Sequence, residues 1–270
     1  MADAPTPLTR IVHDQLTALL AADPGPQNLN MALRTLAKWR STLIGTSLRA
    51  RLGPVVAAGP FRGMIYDVAA SEGSYPARLL GCYEASLAPV IEAAIALAYP
   101  LVIDVGCAEG YYAVGLARRM PQATVWARDA SDRAQRLCRE LSAQNGVANR
   151  VQVGGILTHA DLGVCAAQPT FIFCDIEAAE GELLDPAAAP ALTRADILVE
   201  VHEGMKPGLM ALLTGRFADS HQITRIDRKL DDAALPAMAH DWSDLDRLLA
   251  LWEWRAGPTP WLWLQTRSPP

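Results

Sequence analysis

The chain has 270 residues, enough to bury a full core and to suit one α/β domain with an extension. Its net charge is −5 and its pI near 5.5, so no global basic field draws it to nucleic acid. Hydrophobic residues make up 51%, which argues against long disorder, and no uninterrupted apolar stretch reaches the roughly 18–20 residues that a bilayer span needs. Cys82, Cys107, Cys138, Cys165 and Cys174 are scattered without a C-x-x-C pair, which is the usage of a reducing compartment. The opening Met-Ala-Asp-Ala-Pro-Thr-Pro lacks a basic region followed by an apolar core. A cytoplasmic protein with no secretory signal and no membrane partner is therefore expected.

Residues 8–22 have helical spacing and stop at Asp23-Pro-Gly-Pro. A second helical stretch over 29–52 places Leu29, Leu33, Leu36, Trp39 and Leu43 on one face. Arg34, Lys38, Arg40, Arg49 and Arg51 fall on its other faces and read as a solvated stripe, or else as a surface for an acidic substrate or partner. Gly59-Pro-Phe-Arg-Gly63 punctuates the chain, and Met64-Ile-Tyr-Asp-Val68 reads as a short strand. From residue 85 the rhythm alternates: a helix at 85–98, a strand at 101–105, a helix from 111, a strand at 124–128, a helix at 131–144 and a strand at 150–153. Further strands are expected at 171–175, 197–201, 221–226 and 261–265, with a helix opened by Ser243-x-x-Asp246 before the last. Repeated βαβ units imply a doubly wound, mostly parallel sheet with helices on both faces.

The segment after the strand at 101–105 carries the first chemistry. Gly106 and Gly110 let the backbone turn sharply and approach a ligand, and the helix that follows points its free N–H groups at it. A dinucleotide fingerprint would need glycine where Ala108 stands, and a Walker loop would need a Gly-Lys-Ser/Thr run. What remains, Asp104-x-Gly106-x-x-x-Gly110, resembles the first motif of class I S-adenosylmethionine-dependent methyltransferases. In that reading Asp104, Gly106, Cys107, Ala108 and Gly110 belong to a cofactor loop, with Cys107 and Cys174 as small buried residues. The second strand runs into Asp129-Ala130, about twenty residues after Gly110, where an acid accepts the ribose hydroxyls of an adenosine ligand. The competing role for Asp129 is as a helix cap.

The fourth strand ends in Cys174-Asp175-Ile-Glu177-Ala-Ala-Glu180-Gly-Glu182, and the fifth in Val199-Glu200-Val-His202-Glu203. Ligands of doubly wound sheets sit outside the carboxyl ends of the strands, so both clusters should face one cleft. Glu200 and His202 stand two apart and point to the same face. Asp175, Glu200 and His202 therefore converge as a divalent-metal site or as an acid–base pair with an orienting partner, unless they are separate hydrogen-bonded strand ends.

The glycine motif, Asp129, the Asp175-Ile-Glu177-x-x-Glu180 run and Glu200-Val-His202 together resemble the FkbM-type methyltransferases over about residues 80–205, with Ala178 in place of that family's glycine. The resemblance implies a seven-stranded Rossmann-like sheet with a reversed last hairpin in a methyltransferase domain at 85–270. The helical stretches ahead of it are read as an N-terminal extension at 1–84 that serves oligomerisation, giving a homodimer, or acts as a substrate lid. The resemblance further implies S-adenosylmethionine as cofactor and methyl transfer to a hydroxyl of a small molecule, a secondary metabolite or sugar. No acid follows the third strand, so backbone groups of Gly155 and Ile156 would serve the adenine. Tyr83 and Glu84 lie over the cofactor or pack at a helix start.

Asp175, Glu200 or His202 would remove the hydroxyl proton, directly or through Mg²⁺ or a similar divalent ion held by the same three residues. Methylation of an amine or carbon, or a non-catalytic cofactor-binding protein, are the alternatives. A nucleic-acid substrate is disfavoured, because the fourth strand lacks the Asn/Asp-Pro-Pro-Tyr run of enzymes acting on planar amino groups. Acceptor choice is expected in the N-terminal helices and in loops 178–195 and 228–242. Trp242, Trp252 and Trp254 line that pocket or pack in the core.

Overall fold

A computed structural model describes residues 6–21, 25–70, 73–255, 257 and 259–267. The leading segment before residue 6 and the first half of the expected stop at Asp23-Pro-Gly-Pro lie outside them. Helices α1 (Pro7–Ala21) and α2 (Pro26–Leu52) come first, and α2 opens with proline at N1, where a missing N–H costs nothing. Then follow α3 (Tyr75–Leu80), α4 (Ala88–Leu97), β1 (Leu101–Val105), α5 (Tyr111–Arg119), β2 (Thr124–Arg128), α6 (Asp132–Gln144) and β3 (Val151–Gly154). The rest of the chain forms β4 (Thr170–Cys174), α7 (Glu180–Leu183), β5 (Asp196–Glu200), α8 (Leu209–Phe217), β6 (His221–Ile226), α9 (Asp244–Leu251) and β7 (Trp261–Thr266).

The strands make one seven-stranded sheet in the order β3-β2-β1-β4-β5-β7-β6. β1 to β5 pair in parallel, whereas β7 runs antiparallel to both β5 and β6. The chain steps outward from β1 to β3, then returns to start β4 on the other side of β1. That reversal opens a crevice between the carboxyl ends of β1 and β4, which is where doubly wound sheets bind ligands.

β1 and β4 are buried along their whole length, which is why their sequences are continuous apolar runs rather than alternating ones. Val102, Phe171, Phe173 and Leu198 pack on one side with Ile91, Val114 and Leu141. Leu101, Ile103, Ile172 and Ile197 pack on the other with Leu209, Leu213 and Phe217. Each such side chain taken from water contributes about 1.5–3 kcal/mol.

Val56, Phe61, Met64, Tyr66, Leu79 and Leu80 are all at most 2% exposed and join the first of these cores. The segment leading to residue 84 is thus a wall of the sheet domain, and the expected strand at 64–68 is only a single bridge, Val55 to Ile65. The partner of that wall is the sheet's helical layer, so its backbone has no strand neighbour to pair with. The apolar stretch Tyr75–Leu97 has a mean hydropathy of 1.4 and the length of a membrane span. It breaks at Gly81 and Glu84, both with positive φ, into α3, a short 3₁₀ turn and α4.

Helix α2 also differs from its sequence reading. Leu29, Leu33 and Leu36 are exposed, and burial falls instead on Ala32, Ser41, Ile44, Gly45 and Leu48. The basic residues are the ones that dock: Arg40 bonds Asp246 at 2.6 Å, Arg49 bonds Asp67 at 2.5 Å, and Lys38 lies 4.7 Å over the Trp254 ring. Long basic side chains pack their stems while their heads find carboxylates or ring faces.

Gly115 lies in the middle of α5, where alanine would ordinarily add about 1 kcal/mol of helix stability. A Cβ there would stand 2.5 Å from the Phe61 ring. Gly115→Ala is therefore expected to destabilise the protein by roughly 1–3 kcal/mol in denaturant unfolding, and Phe61→Leu in the same chain to recover part of that loss.

Candidate functional site

The loop after β1 turns through Gly106, Ala108 and Gly110, with φ of 81°, 47° and 95°. Gly106 and Cys107 donate their N–H groups to the Arg128 carbonyl at 2.8 and 3.0 Å, tying the loop to the end of β2. A Cβ on Gly106 would lie 1.7 Å from the Asp175 carbonyl oxygen, and one on Gly110 would lie 2.7 Å from Cys138 Sγ. Both glycines therefore answer to close approach of the protein's own backbone and helix α6, where the sequence suggested approach of a ligand.

Asp104 is buried behind the loop and accepts the Ala113 N–H, pinning the start of α5. Burial pushes its carboxyl up to about 8, with Asp129 and Glu109 adding to the rise. Its Oδ2 has no hydrogen bond among the described residues.

A cavity of about 670 Å³ lies beside the loop, at the crevice between β1 and β4. Gly106, Ala108, Asp129, Ala130, Ile156 and Asp175 line it. Asp104, Cys107, Gly110 and Gly155 do not, and helix α5 contributes no lining residue. Asp129 Oδ2 accepts the Ala108 N–H at 2.9 Å and Oδ1 the Ser131 N–H at 2.8 Å. Ser131, not Asp129, is the cap of α6, its Oγ accepting the Ala134 N–H at 3.3 Å. Each Asp129 oxygen keeps a further acceptor position for a ligand donor. Leu157, Ile176 and Leu183 supply apolar walls that the motifs did not point to, and Ile156 is 77% exposed on the rim.

At the ends of β4 and β5, Asp175, Glu200 and His202 do converge: one ligand atom from each lies within 4.8 Å of the others. His202 Nδ1 is 2.8 Å from Glu180 Oε1, a carboxylate buried to 0% exposure. Its Nε2 stands 3.6 Å from Asp175 Oδ1, Glu177 Oε2 and Glu200 Oε2 alike. Burial pulls the imidazole pKa down, but the Glu180 hydrogen bond and the charges of Glu200, Glu180 and Glu177 outweigh it and raise it. Glu177 and Glu180 belong to the acidic run singled out in the sequence, although neither was assigned a role there. Glu177 and Ala178 turn the chain with φ of 52° and 77°, the left-handed region that glycine fills most cheaply.

A second cavity of about 260 Å³ lies against this cluster, lined also by Ser74, Tyr83, Glu253, Trp254 and Arg255. Asp175 and Glu177 line both cavities. Nothing from loops 178–195 or 228–242 lines the smaller one, and of the three tryptophans only Trp254 does. Tyr83 is thus beside the acidic cluster, apart from the glycine-loop cavity. Glu84 is buried, accepts the Tyr112 hydroxyl at 2.6 Å, and pairs with Arg255, whose guanidinium also holds Glu200 and, at 3.0 Å, Glu253. Trp254 is among the tryptophans that the sequence offers for the pocket, whereas Arg255, a single residue carried in from the C-terminal loop, leaves no motif in the sequence.

No protein-family model matches the chain, and no curated protein matches it. Among solved structures it is similar to an O-methyltransferase from Bacillus cereus in complex with SAH, at 16% identity over 70% of this chain and 83% of that one, with a TM-score of 0.40. A methyltransferase from Geobacter sulfurreducens is 16% identical over 84% of this chain and 88% of its own, with a TM-score of 0.40. A ribosomal protein L11 methylase from Lactobacillus delbrueckii subsp. bulgaricus is 17% identical over 66% and 75%, with a TM-score of 0.42. Likeness of this size leaves activity to be argued from the site itself.

Two outcomes follow from the local strain and burial. Ala178→Gly should stabilise the protein by roughly 0.5–1 kcal/mol, the cost of a left-handed alanine less the added freedom of glycine, whereas Ala178→Val should destabilise it; thermal unfolding reads both. Asp104 keeps its proton in the fold up to about pH 8, while the unfolded chain loses it near 3.8. Stability from this group is thus complete below about pH 4 and declines as pH rises through 8. Asp104→Asn, which keeps an acceptor for Ala113, should flatten that decline in unfolding measured across the window.

Proposed function

We propose that this protein transfers a methyl group from S-adenosylmethionine to a hydroxyl of a small molecule, as the FkbM-type resemblance implies. The observation that carries the reading is that Asp175 and Glu177 line two cavities at once. The larger sits at the reversal of strand order and offers an acid, Asp129, at the end of β2, with apolar walls of a size to take a nucleoside. The smaller holds the titratable groups of β4 and β5.

The residues present suit the donor. Asp129 retains acceptor positions for the ribose hydroxyls, Ala108 and Ala130 keep the cavity open, and Ile156 and Leu157 provide a flat apolar contact for a base. When bound, S-adenosylmethionine supplies an electrophilic methyl on a positively charged sulfur. The protein's own contribution is placement: the loop, fixed by its bonds to Arg128, and Asp175 set the two halves of the site next to each other. An acceptor in the smaller cavity meets Asp175, Glu200 and His202, and its hydroxyl proton passes to this group; a divalent ion, if held by the same residues, would lower the hydroxyl pKa. The concentration of base at this edge suits a hydroxyl, whose oxygen attacks well only as its proton leaves, whereas a neutral amine attacks through its own lone pair.

Calorimetry with S-adenosylhomocysteine and turnover of S-adenosylmethionine with hydroxylated acceptors test the reading. Asp129→Asn should weaken product binding about tenfold, near 1.4 kcal/mol. His202→Ala should leave that binding in place and lower turnover by at least about 100-fold. Failure of the wild-type protein to bind the product, or full turnover in His202→Ala, overturns it.

A further inference from the structure

The ring of His202 is held from behind and aimed at three acids. Its Nδ1 faces Glu180 Oε1 at 2.8 Å, and Glu180 also accepts the N–H groups of Ile176 and Ala178 at 3.2 Å, so this carboxylate is fixed in place. With Nδ1 taken up by this carboxylate, Nε2 is the nitrogen left to face the rest of the cluster. That nitrogen, on a side chain that is 5–6% exposed, then points at Asp175, Glu177 and Glu200. All three oxygens stand at 3.6 Å, beyond the roughly 2.7–3.2 Å of a nitrogen–oxygen hydrogen bond. Among the described residues Nε2 thus makes no hydrogen bond although it is buried and aimed at three carboxylates, and one cation held between them would meet all four groups.

Asp175, Glu200 and His202 stand close enough together to share one ion, and Glu177 Oε2, 3.6 Å from the same Nε2 on the exposed side, is the fourth group within reach of it. Bonds of about 2.0–2.2 Å at tetrahedral angles put ligand atoms about 3.3–3.6 Å apart. A histidine whose far nitrogen donates to a buried carboxylate is also how metal-bound imidazoles are commonly oriented. The Arg255 guanidinium does not fill this space, since it is turned to Glu84, Glu200 and Glu253. Three oxygens and one imidazole nitrogen suit a hard or borderline divalent ion such as Mg²⁺, Mn²⁺ or Zn²⁺.

We infer that Asp175, Glu177, Glu200 and His202 bind one divalent cation, with Glu180 as the residue that positions the imidazole. Glu177 is the ligand that the strand-end pattern did not include. It reaches the ion from the turn at 177–178, and its side chain, 62% exposed, is the open side of the site. An ion there has coordination positions left toward the smaller cavity for water or an acceptor oxygen. The purpose of the ion rests on the methyl-transfer reading; its binding does not.

The probe is Mn²⁺ added to chelator-treated, dialysed full-length protein, followed by electron paramagnetic resonance and by thermal unfolding. One ion per chain should bind, and melting should shift upward with Mn²⁺. Glu177→Gln, at an exposed position where folding is not at stake, should weaken binding at least tenfold and cancel the shift, and His202→Ala should do the same. Absence of Mn²⁺ binding at millimolar concentration, or binding unaltered in Glu177→Gln, overturns the ion site. Titration of S-adenosylhomocysteine on the same samples in chelator separates the two readings. Product binding without Mn²⁺ binding sinks the ion alone, and Mn²⁺ binding without product binding sinks the methyl transfer alone.

Discussion

The contact on which the site depends is between a glycine and a carbonyl. Gly106 lies so close to the Asp175 backbone that even a methyl group would overlap the carbonyl oxygen. That approach is possible only because β1 and β4 are hydrogen-bonded neighbours in register, Val105 beside Cys174, at the point where the strand order reverses. It brings the turn that follows β1 against the residue whose side chain faces both cavities. A doubly wound sheet always has such a seam, and here the chemistry is arranged along it.

Around the seam, buried ion pairs rather than apolar contacts fix the walls. Arg78, 3% exposed, pairs with Glu109 of the glycine loop at 3.0 Å and bonds Ser74 and the Gly73 carbonyl at 2.6 Å, and its guanidinium lies 4.0 Å over Tyr83. Tyr66 donates to the same Glu109 at 2.6 Å. Arg255 does the equivalent on the far side with Glu84, Glu200 and Glu253. Buried pairs add little net stability compared with apolar packing, but removing one partner strands a charge, so they specify one arrangement strongly.

The elements that could be read from sequence are those whose burial is set within a few residues. β1, β2 and β6 fall where their apolar or alternating patterns put them, and Ser243 caps α9 through Asp246 as its spacing indicates. The ends of β3, β4 and β5 shift by one residue, because the pairing ladder and not the apolar run decides where a strand stops. The chain from 53 to 84 was opaque for the opposite reason. Phe61 is buried because Gly115, more than fifty positions later, leaves room for it, and no local pattern encodes that fit. The inner face of α2 departs from its apolar stripe for the same reason, being chosen by α3 and α9. In the site, the period-two step from Glu200 to His202 was legible, while the turn of Glu177 depends on two left-handed residues and Arg255 reaches Glu200 across 55 positions.

The Arg78 pair has a mechanical consequence. It fastens the wall bearing Ser74 and Tyr83 to the loop bearing Glu109, so the two sides of the cleft form one rigid frame. Swinging that wall aside would part a buried pair, at a cost of about 3–5 kcal/mol, and would leave such an open form at well under about one per cent of molecules. Glu177, the most exposed of the acids that line the smaller cavity, then marks the side left for entry without moving that wall.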